Sequence, residues 1–385
     1  MKLFLVSLYV FITFFSPKFG ILDFRLLLLP VGFIFCFRNL KIPLFILQTI
    51  IVVLSIISYY FVLSYFYNSP QDELLRYFRI LVSIFVILFL FSFPNVSIQV
   101  IQNSIVVCLV INLFIMILNL IFPSFHLFVQ SIYFDEGKIL EKTNRVIGLS
   151  SGFDTSGVIL LISILFFFFL ALKHQSYFYF LILCISSFLA FFVSRGTIVY
   201  FLILFIFFSI KFMFSNKFLF RHKFLVYLVL FVIILFAIPH VSKIFLGSVD
   251  IEFLGIEAEV NPEIIENQYA KTDVLGMAQS FIVLPNTLSG LIFGLTQDIE
   301  VDSGYIKTIY QIGLVGIFLT LFSHFKIYSS IKNKPDGSFL NFKLFLFLIL
   351  LLLTISNFKN SMFFVRGVFE IYLSLSLFFY KFHEK

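Results

Sequence analysis

Asp302-Ser303-Gly304-Tyr305-Ile306-Lys307 sets a carboxylate, a phenol and an ammonium at the mouth of an apolar run, Ile306 to Ser323, that is long enough to enter a bilayer. An acidic stretch, residues 240–305, leads into it. Polar groups gathered where a many-span protein meets water are expensive to keep beside lipid and mark function by default.

The rest of the composition agrees with that reading of one run. Hydrophobic residues make up 61% of the 385 and charged residues 12%, with a mean hydropathy of +1.09. A soluble domain is about one quarter charged, so the chain reads as an all-α polytopic integral membrane protein. The 61 Phe carry no chemistry of their own, since Phe serves as well as Leu against lipid tails. With no Trp, interfacial anchoring falls to Tyr, several of which (Tyr59, Tyr60, Tyr65, Tyr67, Tyr177, Tyr179) sit near expected span ends. Cys36, Cys108 and Cys184 lie in apolar runs without metal-ligand spacing and read as small buried hydrophobes. Phosphate-binding glycine loops and His-x-x-x-His pairs are absent from the sequence, which argues against nucleotide hydrolysis and a structural metal. The net charge of +7 is that of a membrane protein with basic loops, so no nucleic-acid partner is expected.

Spans of roughly 17 to 25 apolar residues are expected at 3–16, 19–37, 42–64, 80–93, 98–122, 158–172, 177–193, 197–214, 224–239, 306–323, 342–356 and 367–382, which makes about 12 transmembrane helices. The first resembles a signal peptide, but Ser16-Pro17-Lys18 is a poor cleavage site and an uncleaved span is expected. Phe281 to Leu295, broken by Pro285, Asn286 and Gly290, reads as re-entrant or interfacial. Basic loops at 211–223 and 326–343 flank the acidic one, so the positive-inside rule places both of them, and both termini, in the cytoplasm. The chain is then one transmembrane domain, 1–385, with outward loops at 123–157 and, between spans 9 and 10, at 240–305.

This orientation leaves several cations on the outward side, against the usual bias. Arg145 opens Arg145-Val146-Ile147-Gly148-Leu149-Ser150-Ser151-Gly152-Phe153, Arg195 sits in the turn Ser194-Arg195-Gly196-Thr197, and Lys359 and Arg366 flank the last outward loop. Each arginine could simply snorkel to lipid phosphate. A set of them, each a rigid and permanently charged fork, would equally suit a diphosphate.

In this order the motifs resemble the Wzy-type oligosaccharide repeat-unit polymerases. They run from Arg-x-x-Gly-Leu-Ser at 145–150 and Ser-Arg-Gly at 194–196 through Phe293-Gly294 and Asp302-Ser303-Gly304-Tyr305 to Gly313-Leu314-Val315-Gly316 and Lys359 to Gly367. The resemblance covers the chain from about residue 140 onward, while the first third is similar only in hydropathy. It implies a GT-C-like helical fold in a bacterial inner membrane and undecaprenyl diphosphate-linked oligosaccharides as substrates, with a chain-length regulator and a flippase as possible partners. An acceptor hydroxyl would attack the anomeric carbon and undecaprenyl diphosphate would leave, a step that needs no cofactor and no metal if cations neutralise the leaving group. By this likeness Arg145 and Arg195 face the diphosphates, Asp302 orients or deprotonates the acceptor, and Tyr305, Lys307, Arg366 and Lys359 bind substrate. Asp302 could also be only the N-cap of its span. The related O-antigen ligases use a loop histidine, for which His240 is the nearest candidate here. Two other readings therefore stand beside the polymerase: a ligase or other lipid-linked glycan transferase, and a lipid-linked oligosaccharide flippase, for which the interior polar residues (a possible Asp23–Arg25 pair, with Asn112, Asn119 and Glu370 scattered) look sparse.

Overall fold

In the computed structural model the described residues are 2–16, 18–19, 22–36, 40–67, 72–94, 96–133, 145–150, 152–174, 176–213, 284–296, 303–331, 342–358 and 361–384. Nearly all of them are helical. In chain order the helices are α1 (Lys2–Phe15), α2 (Arg25–Cys36), α3 (Leu44–Tyr67), α4 (Asp72–Ser92), α5 (Ile98–Ile121), α6 (Pro123–Tyr133), α7 (Phe153–His174), α8 (Tyr177–Val193), α9 (Arg195–Met213), α10 (Leu288–Phe293), α11 (Gly304–Ser329), α12 (Phe342–Ser356) and α13 (Val368–Glu384). A two-residue antiparallel ladder, β1 (Lys18–Phe19) with β2 (Leu22–Asp23), turns the chain from α1 into α2.

Five helices among the described residues, α3, α4, α5, α7 and α11, are long and apolar enough to cross a membrane. The chain is thus an all-α membrane protein. Helices α8 and α12 match the expected spans to the residue. The expected spans 3–16 and 19–37 become helices of 14 and 12 residues, because the ladder and Asp23 interrupt the apolar run between them. In the other direction, α4 starts at Asp72, eight residues before the expected 80. The outward loop expected at 123–157 also contains structure: Pro123, whose missing N–H costs nothing at a first helical position, opens α6, and Phe153 opens α7. Span 224–239 and most of the loop 240–305 lie outside the described residues, as does nearly all of the basic loop 211–223.

The bundle packs around α7. Its apolar window is 89% buried within the protein, against 44% for α3, so α7 is central and α3 faces out. Exposed Phe4, Ile34, Phe35, Leu44, Phe66 and Phe318 form the outer apolar surface that a bilayer would cover. In lipid, burial of such groups gives little net drive, and close packing holds helices together instead. Gly32 lets α2 approach α4, where a Cβ would come 2.3 Å from the Phe89 ring. Gly157 does the same for α7 and α9, where a Cβ would come 1.9 Å from Thr197 Oγ1.

Helix α11 is kinked along its length. Gly313 has φ 66° and ψ −173°, which breaks the helix between a short first half and the stretch 314–329. The peptide after α10 occupies the break: Leu295 N–H donates to Tyr310 O at 2.8 Å, and a Cβ on Gly313 would stand 2.2 Å from Ile292 O. The expected span 306–323 lies within this kinked helix, Gly304–Ser329. His324 is fully buried, with its two ring nitrogens 2.9 Å from Thr320 O and 3.1 Å from Phe363 O.

Candidate functional site

The helices alternate in direction, and the charges sort between the two ends of the bundle. One end carries Lys173 over the Phe342 ring, Lys343 over Tyr328, and Lys381 hydrogen-bonded to Phe91 O. Lys2, Lys41 and Lys326 belong to that end by their places on α1, before α3 and on α11. The other end holds all six arginine positions among the described residues: Arg25, Arg76, Arg79, Arg145, Arg195 and Arg366. Of the described lysines only Lys18 and Lys307 share it.

At the arginine end a charged cluster lies inside the bundle. Arg25, the first residue of α2, is 2% exposed. Its Nε donates to both carboxylate oxygens of Asp23 at 3.0 Å, and its Nη1 donates to Ser83 Oγ at 2.6 Å and pairs with Glu370 of α13. Asp23 Oδ1 also accepts from Ser16 Oγ at 3.1 Å and lies 3.2 Å from Arg366 Nη2. Glu370 Oε2 accepts the Gly367 N–H at 2.7 Å. Gly367 takes φ 83° at the tight turn between Arg366 and α13. Two arginines thus face two carboxylates with their hydrogen-bonding capacity widely used, the condition under which buried charge is tolerated. Asp23 lies in the connection between α1 and α2.

The segment that begins at Arg145 is fastened to the bundle by side chains on α5. Asn112 Oδ1 accepts the Leu149 N–H at 2.8 Å, and Asn119 Nδ2 donates to Ile147 O at 2.5 Å. Gly148 allows the close approach, since a Cβ would stand 2.5 Å from Asn112 Oδ1. Val146 N–H donates to Phe192 O at 2.7 Å, which ties the segment to the end of α8, and Ser194 Oγ donates to Asp154 Oδ1 at 2.8 Å. The Arg195 turn and the Arg145 segment are therefore joined through α7 and α8. Arg145 is exposed, its guanidinium 5.6 Å from the centre of the Phe153 ring.

Between α4, α11 and the loop after α12 is a small cleft of about 20 Å³. Tyr305 forms part of its wall, donates its hydroxyl to Thr354 O at 3.0 Å and meets Phe358 edge-on at 4.9 Å. Arg76 reaches across the same cleft to Ser361 Oγ at 3.0 Å.

Of the residues singled out in the sequence, the structure brings Arg145, the Arg195 backbone, Tyr305, Lys307 and Arg366 to one end of the bundle. Asp302, Lys359, His240 and the Arg195 side chain lie outside the described residues. The cap of α11 is Ser303, whose Oγ accepts the Ile306 N–H at 3.4 Å, so capping does not fall to Asp302. Arg366, expected to face a ligand, has a side chain only 18% exposed and is paired with Asp23. Glu370 and the asparagines, expected to be scattered, hold the ion cluster and the Arg145 segment. Sequence reasoning missed Arg76, Arg79 and Ser83. The helix was expected to begin only after Arg79, and a longer reading back to Asp72 would have found the two arginines; Ser83 lay within the expected span but gave no charge signal.

No protein-family model matches the chain, and no curated protein matches it. Fold and site together define a class: an all-α membrane protein with an arginine-rich end.

Proposed function

We propose that the protein is a glycosyltransferase that joins undecaprenyl diphosphate-linked oligosaccharide repeat units into a surface polysaccharide, with its arginine end facing outward from a bacterial inner membrane. The reading includes about 12 spans and a GT-C-like arrangement. The observation that carries it is that, among the described residues, arginine and lysine gather at opposite ends of the bundle. Lysine at the opposite end is what the positive-inside rule asks of a cytoplasmic face. Arginine gathered at the outward face needs another cause, and a guanidinium fork matches diphosphate oxygens in a way that an ammonium does not. Arg145 and Arg195 would neutralise the leaving diphosphate, and Asp302 would orient or deprotonate the acceptor hydroxyl. Arg366 would act less as a ligand than as part of the frame beneath them.

Chain-length ladders from cells test this. Arg145→Ala and Arg195→Ala should remove long polymer while the protein accumulates normally, and the Lys variants should restore little. Because Ser303 already caps α11, Asp302→Asn isolates the carboxylate's chemistry, and a loss of about 10²-fold or more in extension rate is expected from a lost general base. Full ladders in all three variants would sink the proposal.

The recessed ion cluster favours a second reading, a lipid-linked oligosaccharide flippase, since charge inside a bundle often lines a transport path. Cells lacking a flippase hold single repeats on the cytoplasmic leaflet, whereas cells lacking a polymerase expose them outside.

A further inference from the structure

Arg145 and Arg195 are far apart in the chain, yet side chains from the start of one helix hold the segments that carry both. That helix is α7, whose apolar window is the most buried of the five long spans. Ser156 of α7 is buried; its Oγ accepts the Gly148 N–H at 3.0 Å and lies 2.6 Å from Ser150 Oγ, which fixes the backbone of the Arg145 segment. Phe153, the first residue of α7, lies under the Arg145 guanidinium. The Phe153 ring is stacked on His126 of α6, with ring centres 6.4 Å apart, and His126 is itself buried and 2.5 Å from Gln130 Nε2. Asp154, the next residue, accepts from Ser194 Oγ. Ser194 Oγ in turn accepts the Thr197 N–H at 3.2 Å across the start of α9, where Arg195 is the first residue. A long side chain loses rotamer freedom when it binds, so holding it beforehand raises affinity. A ring holds a guanidinium by its charge and asks for none of its N–H donors.

We infer that the first turn of α7 is the positioning element for the diphosphate: Phe153 holds the Arg145 guanidinium, Asp154 holds the backbone of Arg195 through Ser194, and together they set the spacing at which two cations meet two phosphates. Phe153 and Asp154 are positioning residues, each acting through its arginine. The inference rests on the proposal that Arg145 and Arg195 bind the diphosphate, and it adds what makes that binding selective for a diphosphate over a single phosphate.

Binding of undecaprenyl diphosphate and of undecaprenyl phosphate to the purified full chain in nanodiscs tests it, with the ratio of the two affinities as the readout. The parent should favour the diphosphate. Phe153→Leu should lower diphosphate affinity about two- to fivefold, the scale of an exposed cation–π contact, and Asp154→Ala about tenfold, the scale of one hydrogen bond to a charged group; both should narrow the ratio. Phenylalanines of increasing fluorination at 153 drain the ring's charge while keeping its shape, so affinity should fall stepwise along the series whatever Phe153→Leu does to folding. Asp154→Asn keeps an oxygen for Ser194 and should bind at least as tightly as the parent. Because each residue acts through its arginine, Phe153→Leu should cost nothing further in an Arg145→Ala chain, nor Asp154→Ala in an Arg195→Ala chain. A flat fluorination series, an unchanged ratio in the single variants, or losses that recur undiminished in the chains lacking the arginine would overturn the positioning role while leaving the proposed function standing. That function fails by a different result: Arg145→Ala and Arg195→Ala chains that bind undecaprenyl diphosphate like the parent would remove the diphosphate reading, and the inference with it.

Discussion

Arg25 and Glu370 meet where water is excluded, so each is costly without the other. Removing one member of a buried pair typically costs about 3–5 kcal/mol because the remaining charge is stranded. Glu370→Gln takes the charge from one face of Arg25 while leaving Asp23 on the other. It should lower the thermal unfolding midpoint of the purified protein sharply, whereas Lys41→Gln, at an exposed position before α3, should leave it nearly unchanged. A midpoint for Glu370→Gln within a degree of the parent would mean that the cluster is not a structural keystone. The Asp23–Arg25 half of this cluster was legible, because two opposite charges two residues apart in an apolar run have few other partners. Glu370 was not, since the contact joins positions that no periodicity relates. Asp302 illustrates the opposite error: Asp and Ser are both good caps, and only the backbone reveals that Ser303 takes the position.

Among the elements, α11 depends most on one residue. At φ 66° Gly313 occupies a region that side chains adopt at a cost of about 1–3 kcal/mol, and the carbonyl of Ile292 fills the space that a Cβ would need. Gly313→Ala should therefore destabilise the protein by at least about 2 kcal/mol, and limited proteolysis should cut first between α10 and α11. Gly152→Ala, where a Cβ would meet only Thr155 Oγ1 at 3.9 Å, should be tolerated. Equal proteolytic resistance in both variants would contradict the break as an organising feature. The apolar pattern across 306–323 gave no warning of it, because hydropathy averages over a break, and glycine in apolar helices is common. Helices α8 and α12 were readable to the residue because polar or capping residues bracket each uniform apolar run.

For the molecule as a whole, the segregation of charge predicts a direction across the membrane. In a background lacking Cys36, Cys108 and Cys184, a cysteine replacing the exposed Phe358 should react with an impermeant reagent added outside the cell, and one replacing Ser329 should not. The reverse pattern would turn the arginine end toward the cytoplasm and remove the proposed chemistry with it. The same frame has a consequence for biosynthesis. Arg25 waits for a partner 345 positions further along the chain, and at about 5–20 residues per second the ribosome takes roughly 20 to 70 s to supply it. Throughout that interval the growing protein holds a guanidinium among apolar helices with Asp23 and the neutral Ser83 hydroxyl to answer it, so the last helix acts as the latch of the assembly. A nascent chain stopped before Val368 should stay bound to the insertion machinery or be degraded, and pulse-chase of such a truncation, with α13 supplied as a separate peptide to restore it, would time the closing of that latch.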